Sequence, residues 1–445
     1  MKNGTYTITI GTVDYPVAFT VAGSEGQDQR FAVRIPVTDT DTKFSKANYY
    51  APVSWSAATR KWVTNSPGGW YDSKNAPKFG ANTTSSQLTA VSSHSGCVGC
   101  HVTGMKSYEL LTTGEKAYTG YAAILYRADD PAYFDYNGDG ISNTVNITCE
   151  SCHGPGSTHV LWAGNPTKIV NPAKLTAREQ HDVCQRCHSS LKSTPNGKWG
   201  WPCKDDKPGA PDWYPGAPDS LANWSTDGTA YWPDGVSVKS GHSYGFQKSL
   251  HYDNPYDTVN CATCHDPHQK TTNKAQLRDT MTSADGKTTF RTSPEDNTLC
   301  LSCHATHGPF ANITAAMVAD AAKNEEAIGK VVSGHTHHPY APERAMGLSN
   351  CTTCHMAVTG NQHSFKAMRP ELTLKFQSAT GGQPNSCASG CHNTLVNIFG
   401  LGLKPGPAYD SHAVPPYNST FDQGLATTLQ KYFGPGGTWW NTTPK

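Results

Sequence analysis

A chain of 445 residues has room for two or three ordinary domains, yet only 36% of it is hydrophobic, while 41 Gly and 30 Pro point to loops and turns. That excludes a large aliphatic core, so something other than Leu, Ile and Val has to fill the middle. The formal charge of +1 excludes nucleic acid and anionic lipid as electrostatic partners, and no apolar run approaches the roughly 18 residues of a membrane helix.

The opening, MKNGTYTITIG, is strand-like rather than basic and then apolar, and reads as the start of a mature, already processed chain. Residues 1–90 hold neither Cys nor His. Alternation in GTYTITIG and RFAVRIPV predicts strands, joined through the Gly-rich VAGSEGQDQ. The aromatics of NYYAPVSWSAATRKWV and GGWYDSKNAP are expected to pack on this β-rich part or against the first Cys- and His-bearing site after it, with an exposed interface as the alternative.

From His94 onward one pentapeptide, Cys-x-x-Cys-His, recurs six times. The copies are Cys97, Cys100, His101; Cys149, Cys152, His153; Cys184, Cys187, His188; Cys261, Cys264, His265; Cys300, Cys303, His304; and Cys351, Cys354, His355. This is the attachment sequence of c-type haem: the two thiols add to the haem vinyl groups, and the His becomes an axial ligand of the iron. A zinc site needs two half-sites to close one tetrahedron, and a redox dithiol occurs once and needs no trailing His. Six complete copies favour haem over both.

A seventh site reads Cys387-Ala-Ser-Gly-Cys391-His392, with one residue more between the thiols. Gly390 makes that insertion easy to loop out, and the adjacency of Cys391 and His392 is kept. The alternative is a disulfide between Cys387 and Cys391. Cys203 has neither a following His nor a free partner in the pattern, so an unpaired thiol is the default.

Of nineteen histidines, twelve lie outside the motifs, enough to give seven irons a second imidazole. His159, His268 and His307 follow motifs so closely that each is expected to reach a neighbouring haem rather than its own. His242 and His251 precede the fourth motif, His335, His337 and His338 precede the sixth, and His363 follows it. One or two of the 335–338 group can serve, with His335 and His338 taken as candidates. His94, His181 and His412 stay open between distal iron ligands, hydrogen-bond donors and ligands offered to another subunit. Methionine ligation ranks second at every site.

Between the motifs, in chain order, DYNGDGISN resembles a calcium loop, with Asp135, Asn137 and Asp139 alternating before Gly140. Asn146 stands where the twelfth-position acid is usual, so a solvated Asx-rich turn stays open beside calcium. NPAKLTAREQHDVCQRCH predicts a helix started by Asn-Pro and running into the third motif. Lys192 to Ser240 is rich in Trp, Pro and Gly and predicts an ordered loop that buries its tryptophans. NITAAMVADAAKNEEAIG predicts a helix with Ile313 and Met317 on one face and Gly329 as its stop. FDQGLATTLQKYF predicts a short helix near the C-terminus, followed by aromatics suited to a contact surface.

CVGCHVTG, CESCHGPGSTH with IVNPAKL, CATCHDPH and CTTCHM…HSF together resemble the large multihaem c-type cytochromes of anaerobic, metal-reducing bacteria. The resemblance covers the chain from about His94 to its end and leaves the N-terminal part unmatched. Some members of that group are soluble carriers; others are exported and polymerise into extracellular filaments, the nanowire cytochromes. The resemblance implies a mostly irregular, haem-cored fold with little regular secondary structure, a small β-rich N-terminal part and a few short helices. The domains expected are a haem-free 1–90, a heptahaem 91–400, and a tail 401–445 that packs on the haem part or on a neighbouring subunit. Seven haems would replace the missing aliphatic core. With about −1 from each oxidised haem they would also take the formal charge from +1 to about −6.

The function this implies is electron transfer along seven bis-His haems, as an exported, extracellular filament that passes electrons to other cytochromes or to an extracellular acceptor. No catalytic residue is assigned. Two rivals stay open: a soluble periplasmic carrier, and a multihaem oxidoreductase of nitrogen or sulfur compounds, which needs one iron with an open position.

Overall fold

A computed structural model of the chain describes residues 6–21, 28–39, 43–45, 49–57, 59–65, 69–88, 98–101, 103, 105–110, 116–120, 147–197, 200–204, 212–238, 242–269, 271–283, 286–338, 350–356, 363–389 and 420–433. These fall into two compact units, Met1–Gly228 and Thr229–Lys445, the division lying inside the stretch 91–400. The architecture is a small N-terminal antiparallel sheet and a few short helices joined by irregular connections.

The sheet is a meander of β1 (Thr7–Ile10), β2 (Val13–Val21), β3 (Gln29–Val33), β4 (Tyr49–Ser56) and β5 (Lys61–Thr64) in that spatial order. Gly11, at φ 63°, opens the two-residue link between Ile10 and its partner Val13. Two-residue links of this kind suit the natural twist of paired strands. The strands expected in GTYTITIG and RFAVRIPV are β1 and β3. The aromatic stretch NYYAPVSWSAATRKWV does more than pack on the sheet: it supplies β4 and β5. Tyr15, Val33, Ile35, Tyr49 and Ala51 form the core of this region with Trp70, Phe79 and Leu88 from the segment that follows. Trp70 meets Tyr15 and Phe79 edge-on, and its Nε1 donates to the Tyr50 carbonyl at 2.7 Å. The Tyr15 hydroxyl donates to the Phe79 carbonyl at 2.9 Å, so the polar tips of these rings are paired where the rings are buried.

The remainder of the first unit is built from single helical turns and short hairpins, β6 (Met105–Leu110) with β7 (Lys116–Gly120) and β8 (Leu191–Ser193) with β9 (Ser225–Asp227). The helix expected from Asn171 starts later than the Asn-Pro pair suggests. Asn171 caps only the 3-10 turn Pro172–Lys174. The α-helix is Ala177–Gln185, opened by a capping box in which Thr176 and Glu179 satisfy each other's backbone N–H. Trp201 and Trp213 are buried in this unit and Trp232 in the second, as their size requires.

In the second unit, the helix Thr298–His304, the hairpin β10 (Thr280–Thr282) with β11 (Thr289–Arg291), and the helices Ala315–Ala319 and Ala321–Thr336 enclose Phe290, Leu301, Ile313, Val318, Ile328 and Val332. The single helix expected over 312–329 is thus two, broken at Asp320, and Gly329 is no stop. Gly329 is buried inside the second helix, which ends where His337 turns left-handed at φ 57°. The helix expected near the C-terminus is Thr420–Phe433, packed on Pro370–Lys375. Among the described residues no helix is long and apolar enough to cross a membrane.

Candidate haem sites

Each described motif sits on about one helical turn: Val98–His101, Cys149–His153, Cys261–Cys264, Thr298–His304 and Cys351–His355, with the third at the end of Ala177–Gln185. One turn is what the spacing demands, because residues three apart share a helix face and can present two thiols to one ring system. Asparagine starts several of these turns. The Asn260 side chain accepts from Thr263 N at 3.1 Å, that of Asn350 from Thr352 N at 3.0 Å, and that of Asn385 from Ala388 N at 2.9 Å. Asn297, fully buried and left-handed at φ 64°, precedes motif five but turns its side chain to motif six, accepting from Cys351 N at 2.8 Å. After Asn385 the chain makes a helical turn that widens to π-type geometry at 388–389. A widened turn is how a helix takes in one extra residue, and it falls within the expanded motif.

Three motif histidines are held by one device. The Nδ1 of His153 bonds the Val170 carbonyl at 2.8 Å, that of His265 the Ala275 carbonyl at 2.9 Å, and that of His355 the Phe365 carbonyl at 2.8 Å. Each carbonyl comes from the connector after the motif, folded back over it. A carbonyl partner puts the proton on Nδ1 and leaves the Nε2 lone pair for a metal. Ala275 and Phe365 present their carbonyls from the left-handed region, at φ 55° and 49°, where a side chain costs about 1–2 kcal/mol. His159, His307 and His338 are held the same way, by the carbonyls of Asn165, Ala305 and Thr336.

The second unit also brings histidine rings together. His335 and His355 stand 6.4 Å apart between centroids with planes 10° apart. His265 and His363 stand 6.1 Å apart at 29°, and His251 and His304 5.8 Å apart at 79°. His242 lies 5.3 Å from His363. The Phe365 ring lies between His251 and His363, 4.6 and 5.7 Å from them. Burial holds His251, His304, His335 and His338 below the usual imidazole range, which favours the neutral form, the one that ligates metals. His251 Nδ1 is buried with no hydrogen-bond partner among the described residues. Bare burial of such an atom costs about 1–3 kcal/mol.

The motifs also touch one another. The Cys100 thiol approaches the Cys187 carbonyl at 3.8 Å, and the Cys187 thiol the Cys100 carbonyl at 3.9 Å, joining motifs one and three. Gly99 makes room for Trp201, whose Cβ would lie 2.4 Å from a Cβ added there. Gly154, at φ 70°, lets the Pro215 carbonyl lie 2.4 Å from where its Cβ would be. Within motif three, Arg186 pairs with buried Asp212 and donates to the Ser151 carbonyl of motif two at 3.4 Å. Burial pushes the Asp212 carboxyl up, against the pull of Arg186. In the second unit the thiols of Cys300 and Cys351 are hydrogen-bonded, tying motifs five and six. Burial, with Cys300 and Cys303 adding, pushes the Cys264 thiol up to about 11.

The candidate residues therefore fall into groups. His251, His335 and His363 each face a motif histidine; His159, His307 and His338 are oriented singly. His268 is exposed, and His181 is fully buried. His94, Cys97, Cys391, His392, His412 and the Asp135, Asn137, Asp139 loop lie outside the described residues, as does the side chain of His101. The asparagine caps were missed although Asn stands directly before Cys in motifs four and six, an ordinary helix-start signal. The carbonyls of Ala275 and Phe365 had no signal, since neither residue type suggests a left-handed turn.

Residues 254–309, which contain motifs four and five, match the family model for the doubled CXXCH motif. Among solved structures the chain is similar to the crystal structure of the outer cell wall cytochrome OcwA, at 19% identity and a TM-score of 0.38, over 94% of this chain and 86% of that one. No curated protein matches. Paired CXXCH motifs bind haem c covalently, which implies electron transfer by c-type haems. The residues fit that group: imidazoles oriented through Nδ1 by backbone carbonyls, paired thiols on helical turns, and a buried orphan nitrogen beside a motif histidine.

Proposed function

We propose that the chain is an electron conduit of seven covalently attached haems, each iron held between two histidines, and that it works outside the cytoplasm as a polymeric filament. The observation that carries this reading is the facing of motif histidines by second histidines, at His335–His355, His265–His363 and His251–His304. Bound haem supplies reversible one-electron chemistry. The cysteines of the seven motifs would anchor it, and His101, His153, His188, His265, His304, His355 and His392 would each supply one ligand to an iron. The carbonyls of Val170, Ala275 and Phe365 keep three of these rings in one tautomer and one orientation. Held between two histidines, each iron would offer no position to a substrate, and the protein's work would be spacing and tuning. The widened turn at 388–389 supports counting the expanded motif as the seventh.

The filament reading rests on histidines in excess of the irons, His94 and His412 among them, and on the aromatic C-terminal tail. The partners are further copies of this chain and another cytochrome or an extracellular acceptor. Electron microscopy of the native protein, with haem count by intact mass and iron spin state by absorption, tests the whole. Ordered filaments with seven low-spin haems are expected. Discrete particles overturn the filament, and a high-spin iron overturns the closed conduit in favour of an enzyme.

A further inference from the structure

Resting on that haem reading, we propose that three irons take their second ligand in an interleaved order: His363 for the iron of motif four, His251 for that of motif five and His335 for that of motif six. Two imidazoles on opposite sides of one metal, each nitrogen about 2.0 Å from it, stand about 6 Å apart between ring centroids. The three pairs, at 6.1, 5.8 and 6.4 Å, bracket that figure, and each joins one motif histidine to one histidine outside the motifs. Contact distances between aromatic rings cover the same range, so separation alone does not decide. The chemistry of the rings adds to it. His265 and His355 keep Nδ1 on a backbone carbonyl and so have Nε2 for iron. His251 carries a buried nitrogen with no partner among the described residues. His242 is the rival for motif four, but its ring is seated against His363, 5.3 Å away.

The order does not follow the chain. His251 precedes motif four yet faces motif five, and His363 follows motif six yet faces motif four. The iron bonds would therefore cross-link residues 251–363 into one block.

The angles between the ring planes make the assignment readable. In low-spin ferric haem, near-parallel imidazoles split the iron orbitals and give a resolved rhombic resonance. Near-perpendicular ones leave those orbitals almost degenerate and give one strongly anisotropic, large-g feature. The His251–His304 angle of 79° predicts the second type for motif five, and the angles of 10° and 29° predict the first for motifs six and four.

The test is frozen-solution electron paramagnetic resonance of the oxidised, fully loaded protein and of His251→Met, His335→Met and His363→Met. His251→Met is expected to lose one haem's worth of large-g intensity. The other two are each expected to lose one haem's worth of rhombic intensity and to keep the large-g feature. A His251→Met protein with all haems attached and the large-g feature intact overturns the assignment, as does loss of a rhombic signal in His242→Met in place of His363→Met. If a methionine variant drops a haem by mass, the glycine variant with imidazole in the buffer is read instead. Low-spin iron returning without the original line shape supports the pairing, and an unaltered spectrum overturns it. A wild-type protein with high-spin iron or too few haems would instead bring down the conduit reading, so the two failures are distinguishable.

Discussion

In the N-terminal sheet, Val33, Ile35 and Leu88 are buried among Tyr15, Trp70 and Phe79, and the polar tips of Tyr15 and Trp70 end on backbone carbonyls. In residues 242–365, the rings that come together around motifs four to six are His242, His251, His265, His304, His335, His355 and His363, with Phe365 among them. The first region closes on its own side chains. Beside its own cluster of Phe290, Leu301, Ile313, Val318, Ile328 and Val332, the second gathers imidazoles, thiols and left-handed carbonyls, groups that do not drive burial by themselves. Around motifs four to six the aliphatic core thus gives way locally: the chain is hydrophobic where side chains close on one another and polar but oriented where a large cofactor fills the space.

The largest effect is expected when the cofactor is withheld from one site. Replacing both Cys261 and Cys264 by Ala is expected to abolish hydrogen-exchange protection across residues 242–365 while the amides of β2 to β4 stay protected. Equal loss in both regions would show that the sheet depends on haem as well. Next in size, Ile35→Ala should cost the sheet about 2–5 kcal/mol, read as a lower denaturant midpoint by tryptophan fluorescence, with the haem absorption spectrum unchanged.

A smaller effect sharpens the boundary between the two modes. Gly99→Ala places a Cβ against Trp201 Cβ and Cγ, atoms too near the backbone to swing aside. About 1–3 kcal/mol of destabilisation is expected at motif one, seen as early loss of part of the haem signal in a denaturant series. The smallest has the opposite sign. Ala275→Gly removes the left-handed strain while leaving the carbonyl that holds His265. A gain of about 0.5–1 kcal/mol in the denaturation midpoint of the haem absorbance is expected.

The motif positions were legible because haem attachment requires a fixed local string, and the β-rich start because alternation survives in GTYTITIG and RFAVRIPV. The extra strands β4 and β5 were hidden by aromatics, which strands and packed loops share. Gly329 misled because helix propensity counts glycine as a terminator, whereas this one is buried inside the helix Ala321–Thr336. The supply of second histidines could be counted from the sequence, but not their partners. Each pairing joins segments whose approach is set by connectors such as 266–277, where the decisive carbonyl belongs to an alanine in an unlikely conformation.

The side chain of Asn297 has a consequence for manufacture. It stands before motif five, yet the amide of the first cysteine of motif six takes it as acceptor. The helical turn of motif six is therefore completed by a part already laid down with motif five. A chain emerging from its N-terminus meets these two sites in the order in which the first can template the second, so damage at motif five should propagate to motif six and not the reverse.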